Sequence, residues 1–155
     1  MTYTVTVERV AAQPLAAVRD RMPARDIPGR FRHSLDKVWL YLRAHPGLWT
    51  GGHNVFLYRQ DMDATGAMTI DFGVQVTRTF EEKGEGDVRC VMTPEGEVAS
   101  TVHVGAYAGL KAAHEAVHAW VAANGRRVGD WSWEIYGDWN DDPRKLSTQI
   151  LYLLR

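Results

Sequence analysis

Polar and apolar residues alternate from the start of the chain. Tyr3, Val5 and Val7 oppose Thr4, Thr6 and Glu8 over residues 3–9, the two-residue period of a strand with one buried face. "PLAAVR" (14–19) reads as a second strand. The period then lengthens: Phe31, Leu35, Val38 and Leu42 recur at spacings of four, three and four, which is one face of a helix. His45-Pro46-Gly47 closes that helix. "NVFLYRQ" (54–60) returns to strand, "DATG" (63–66) is a turn, and "MTIDFGVQVTRTF" (68–80) is a long alternating strand. "EEKGEGD" (81–87) is a solvated turn.

A similar order follows. "VRCVMTP" and "GEVASTVHV" read as strands. The stretch from Gly105 to Gly125 is a helix, with Leu110, Ala113, Val117, Trp120 and Val121 on its apolar side. "SWEIYGDW" and "STQILYLL" are the last two strands. The helix-closing glycines, Gly47 and Gly125, lie 78 residues apart in a chain of 155. Strand–helix–strand–strand therefore occurs twice, as duplication would leave it. The expected fold is α+β: one domain of two tandem units, about 1–80 and 81–155. Their antiparallel sheets, with helices packed on one side, meet at a pseudo-two-fold seam. A cleft at such a seam is a natural ligand site.

Composition narrows the function. The chain is 45% hydrophobic and 24% charged, with net charge −1 and no basic block, which disfavours direct nucleic-acid binding through phosphates. Cys90 is the sole cysteine, so no internal disulfide framework exists and a reducing cytoplasm fits. The N-terminus lacks the basic start and apolar run of a signal peptide. No apolar run approaches the roughly 18 residues of a membrane span.

The chemistry concentrates in "DWSWEIYGDW" (130–139). As a strand, it sets Trp131, Trp133, Ile135 and Trp139 on one face and Ser132, Glu134 and Tyr136 on the other. Trp133 and Ile135, facing away from Glu134, are expected under the helix. A carboxylate amid so much aromatic surface is costly to bury without a partner. Arg126, Arg127 and Arg144 are candidate structural partners; an organic cation is the functional alternative. "HEAVH" (114–118) matches the zinc-peptidase pattern and places His114 and His118 on one helix face. No histidine follows to complete a ligand set, so no metal is expected: His114 reads as partly packed and His118 as surface. No phosphate loop or G-x-S-x-G elbow is present.

"HVGAY" (103–107), the helix with Leu110, Ala113, Val117 and Trp120, "NG" (124–125), "WEIY" (133–136) and "TQILYLL" (148–154) together resemble the GyrI-like domain. This is the effector-binding domain of bacterial transcription activators. The resemblance is strongest over about residues 94–155, and "GDWNDDP" departs from the family by delaying Pro143 after the tyrosine. It implies two tandem strand–helix–strand–strand units and a cleft that takes lipophilic, often cationic molecules. It further implies that Glu134 is the cleft carboxylate, with Tyr136, Tyr107 and Tyr152 as aromatic contacts. Trp139 is expected at the pocket mouth, and Trp39, Phe56 and Tyr58 are first-half candidates by layout. The first strand begins too early for a preceding helix-turn-helix, so a stand-alone binding protein is expected, acting as a sensor, in sequestration or in drug resistance. Transcriptional control would then need a separate regulatory partner, and the aromatic content is compatible with a homodimer. No cofactor is expected. The alternative, also implied by the family, is a hydrolase opening strained cyclopropane-type compounds, with Glu134 as general base and Tyr136 orienting the reacting group. A zinc hydrolase through His114 and His118 is a weak third reading.

Overall fold

A computed structural model describes residues 2–81 and 86–155, so part of the turn expected at 81–87 lies outside the described residues. The strands are β1 (Thr6–Val10), β2 (Pro14–Pro23), β3 (Asn54–Arg59), β4 (Ala67–Gln75), β5 (Val88–Met92), β6 (Gly96–Val104), β7 (Val128–Tyr136) and β8 (Ser147–Leu154). The helices are α1 (Ile27–Ala44) and α2 (Leu110–Ala123). The strands of both units join in one eight-stranded sheet, ordered β1-β6-β8-β7-β3-β4-β2-β5, and every neighbouring pair is antiparallel.

That order reads the same from either end when first-half strands are exchanged for their second-half counterparts. The seam falls between β3 and β7, where Phe56 pairs with Glu134, 78 positions further along the chain. At the two edges the halves trade strands: β1 closes on β6, and β5 closes on β2.

Several boundaries differ from the pattern. The alternation over 68–80 predicts a longer strand than β4, because the chain leaves the ladder after Gln75. There the Val76 N–H bonds the Pro14 carbonyl and the Thr77 N–H bonds the Leu48 carbonyl. β2 runs on to Pro23, since its polar residues stay paired along β4 and Arg19 reaches Asp71. β1 begins at Thr6, because the preceding residues bond through side chains: the Thr101 hydroxyl donates to the Thr4 carbonyl. α2 ends as its glycine foretells. Gly125 adopts φ +69°, and the Arg126 N–H reaches back to the Val121 carbonyl.

Both helices pack on one face of the sheet. Leu35, Val38 and Leu42 of α1 meet Ala16, Phe56, Ile70, Phe72 and Val74. Ala113, Val117 and Val121 of α2 meet Ala99, Ile150 and Tyr152. The opposite face holds a third cluster of Leu15, Ala17, Val55, Leu57, Val98, Trp133 and Leu151. Trp133 thus faces away from Glu134 but does not lie under a helix, and Ile135 packs with it on that far face. Leu15 and Val98 are fully buried there with no helix above them. The right-handed twist of so wide a sheet curls it, and this cluster fills its hollow, helix-free side.

Candidate functional site

On the helix-bearing face, ladder pairing sets side chains of neighbouring strands in rungs across the seam. One rung runs Phe72, Phe56, Glu134, Ile150 and Thr101; the next runs Ile70, Tyr58, Ser132, Tyr152 and Ala99. Glu134 therefore stands at the centre of the molecule, between the footprints of the two helices. It is 4% exposed.

A carboxylate so buried needs donors, and three side chains supply them. The Tyr58 hydroxyl donates to Oε1 at 2.5 Å and the Tyr136 hydroxyl to the same oxygen at 2.7 Å. His114 of α2 places Nε2 2.7 Å from Oε2, and its Nδ1 lies 2.7 Å from the Tyr152 hydroxyl. The arginines considered as structural partners lie elsewhere: Arg126 pairs with Glu97 and Arg144 with Asp142.

Burial and the neighbouring Glu134 charge hold the Tyr58 and Tyr136 hydroxyls well above the ordinary tyrosine value, so both remain donors. Burial, with Glu134 second, pushes Tyr152 up to about 12. His118, one turn beyond His114, is exposed, yet its ring centroid lies 4.6 Å from that of Tyr152. Partial desolvation and then His114 lower its pKa.

Aromatic rings enclose the carboxylate. Phe56 meets Tyr136 with centroids 4.8 Å apart, and Tyr107 stands edge-on to Tyr136 at 5.4 Å. Tyr107 sits in a short 3-10 turn, Tyr107–Gly109, ahead of α2 and is partly exposed. The geometry thus brings Tyr58 and Tyr136 onto Glu134, links Tyr152 to it through His114, and sets Phe56 and Tyr107 against Tyr136. Trp39 lies apart on α1, partly buried and edge-on to Trp49 at 5.2 Å. Trp139 is 72% exposed and bonds Asp141, away from Glu134.

The sequence offered His114 only as a zinc ligand beside His118, not as a partner of Glu134. Its signal was a histidine on the flank of an apolar stripe, which marks a side chain at the rim of the helix footprint rather than in open water. Both ring nitrogens are engaged, by Glu134 and Tyr152, and this accounts for half of the zinc-like "HEAVH" pattern. No cluster of three His, Cys, Asp or Glu side chains suited to a metal ion occurs among the described residues.

A family model, the GyrI-like small molecule binding domain, matches residues 3–154. The chain belongs to this family. Among solved structures, the GyrI-like fold is shared with the EcmrR C-terminal domain, at TM-score 0.84 and 21% identity, covering 100% of this chain and 99% of that one. SAV2435 bound to tetraphenylphosphonium superposes at TM-score 0.70 with 15% identity, covering 100% of this chain and 94% of the other. A hydrolase encoded by lin2189 from Listeria innocua gives TM-score 0.66 and 12% identity, covering 97% and 91%. No curated protein matches the chain. Among the described residues of this GyrI-like chain, no helix is long and apolar enough to cross a membrane.

Proposed function

We propose that this GyrI-like domain captures a lipophilic, aromatic cation against Glu134 in the cleft between α1 and α2. The observation that carries the reading is a nearly buried carboxylate held by tyrosines and a histidine; among the described residues no lysine or arginine pairs with it. An organic cation entering such a site meets the charge at low local dielectric and the faces of Tyr107, Tyr136 and Phe56. SAV2435, of the same fold, has been solved with a lipophilic cation bound. In this reading Tyr107, the exposed ring over Tyr136, moves aside for the ligand. Trp39 and Trp139 contribute to its outer contacts, and Tyr152 acts through His114. The protein serves as a cytoplasmic sensor, sequestering agent or resistance factor, one domain of two repeat units. Any effect on transcription passes through a separate regulatory protein, not direct DNA contact, and the aromatic content is compatible with a homodimer.

Thermal shift at pH 7 with flat lipophilic cations and neutral molecules of the same shape tests the reading. The cations are expected to raise Tm with concentration in wild type and to lose that effect in Glu134→Gln. Equal responses to cations and neutral isosteres, or an unchanged response in the mutant, would refute it.

A hydrolase of the same cleft is the second reading, and His114 is the observation that favours it. With Nε2 on Glu134 and Nδ1 on the Tyr152 hydroxyl, His114 can draw a proton from water only by relay through Tyr152, so Glu134 keeps the general-base role and Tyr136 orients the reacting group. Recovering each hit intact after long incubation would exclude turnover of that compound.

A further inference from the structure

Among the buried side-chain nitrogen and oxygen atoms of the described residues, two have no hydrogen-bond partner: Asn54 Oδ1 and Thr148 Oγ1. Both belong to one rung. Thr148 pairs with Tyr136 on one side and His103 on the other. Asn54 lies one residue beyond the Val55–Ile135 pair, opposite Tyr136 across the seam. The two orphaned atoms thus flank Tyr136 on the helix-bearing face, next to the rung that carries Glu134. Thr148 is 0% exposed.

Their neighbours cannot satisfy them. The Tyr136 hydroxyl is engaged by Glu134. The ring nitrogens of His103 are taken by the Tyr3 hydroxyl and the Ala106 carbonyl. Val74, beside Asn54, has no polar side-chain atom. A buried polar atom left unpaired is costly, and such groups in native proteins call for a ligand or an ordered water. Glu134 is in the opposite condition. A carboxylate offers about four lone-pair sites, and three are already occupied. It can attract a cation by charge but has little direction left with which to read one.

We propose that Asn54 and Thr148 are the hydrogen-bonding part of the cleft and select ligands bearing N–H or O–H donors over fully alkylated ones of equal charge. This rests on the cleft reading above. The ligand class is then an aromatic amine or amidine, not a quaternary cation. Asn54 Oδ1 accepts from the ligand, and the Thr148 hydroxyl accepts or donates. The two sites lie two strands apart, roughly 10 Å. One molecule engaging both must therefore carry polar groups at opposite ends of about three fused rings lying over Tyr136.

Proflavine and acridine orange test this, since they share a cationic tricycle and differ by methylation of both exocyclic amines. Fluorescence titration should give proflavine the lower Kd by about tenfold or more. Thr148→Val, which keeps shape and loses the hydroxyl, and Asn54→Leu should each erase much of that preference, whereas Thr148→Ser should keep it. Tm of each variant confirms folding. If both dyes bind alike and Glu134→Gln weakens both, the donor selection is wrong and the cleft carboxylate stands. If the preference survives Thr148→Val and Asn54→Leu, it is steric and the two atoms hold only water. If neither dye binds, both readings fall.

Discussion

Replacing Glu134 by glutamine separates the charge of the site from its hydrogen bonding. The amide oxygen can still accept from the Tyr58 and Tyr136 hydroxyls, which both bond Oε1 in the native protein. The amide nitrogen then occupies the place of Oε2, facing His114 Nε2. A carboxylate has nothing to donate, so in wild type Nε2 carries a proton. In the variant the amide donates, so Nε2 must accept and the proton moves to Nδ1, where the Tyr152 hydroxyl can receive it. Every bond survives through a change of tautomer. Loss of the charge-assisted bonds is offset by loss of the carboxylate's desolvation penalty, and stability should change by no more than about 1 kcal/mol, a Tm shift of about 2–4 °C. Glu134→Ala instead leaves three buried donors unpaired and should cost about 3–5 kcal/mol. A cation about 5 Å from the carboxylate at an effective dielectric of about 20 gains ~3 kcal/mol, so Glu134→Gln should weaken cation binding by more than about a hundredfold. Long-range nitrogen–proton NMR of the imidazole reads the tautomer directly. A spectrum with Nε2 still protonated in Glu134→Gln, or a Tm loss equal to that of Glu134→Ala, would refute the reasoning.

Other measurements probe the surrounding structure. Tyr58, Tyr136 and Tyr152 have folded-state pKa values raised above the ordinary value of about 10. Above pH 10 the unfolded chain therefore loses protons that the folded chain keeps, so stability is full below pH 10 and falls as pH rises beyond it; tyrosinate absorbance near 295 nm should show these three ionising together with unfolding, and smooth titration in a folded protein would count against their burial. Asp71 is buried on the hollow face and meets the half-exposed Arg19 through two hydrogen bonds; Arg19→Met should cost about 1–3 kcal/mol in chemical denaturation, partly screened by solvent. A Cβ at Gly52 would fall 2.2 Å from the Gln75 carbonyl oxygen, whereas one at Gly29 meets nothing within 4 Å. Gly52→Ala should therefore destabilise by about 2 kcal/mol or more, and Gly29→Ala in α1 should stabilise by about 0.5–1 kcal/mol.

Periodicity made both helices, the order of strands and the offset of 78 residues legible, because each is a local consequence of which face is buried. It also set Glu134, Tyr136 and Ser132 on one face of β7. It could not reveal that the two sets of strands fuse into one sheet, since pairing between β3 and β7 is not local. The misplacement of Trp133 has the same origin: alternation tells that two faces differ, not which one carries helices. Tyr58 emerged as a candidate only by layout, yet it makes the shortest bond to Glu134, across 76 residues of sequence. His114 was hidden by a familiar motif that invited a metal reading. Trp139 was placed at the pocket mouth by nearness in sequence alone, and the structure leaves it exposed beyond the end of β7, bonded to Asp141.

The exchange of edge strands binds the halves more tightly than a cleft between two lobes would suggest. Five residue pairs join β1 to β6, and five join β5 to β2. Neither half can close its own sheet; each lends the strand that caps the other. A chain cut between β4 and β5 would yield two fragments with complementary raw edges, prone to aggregate alone and expected to reassociate when mixed. Unfolding should be a single cooperative event, with no population in which one half survives.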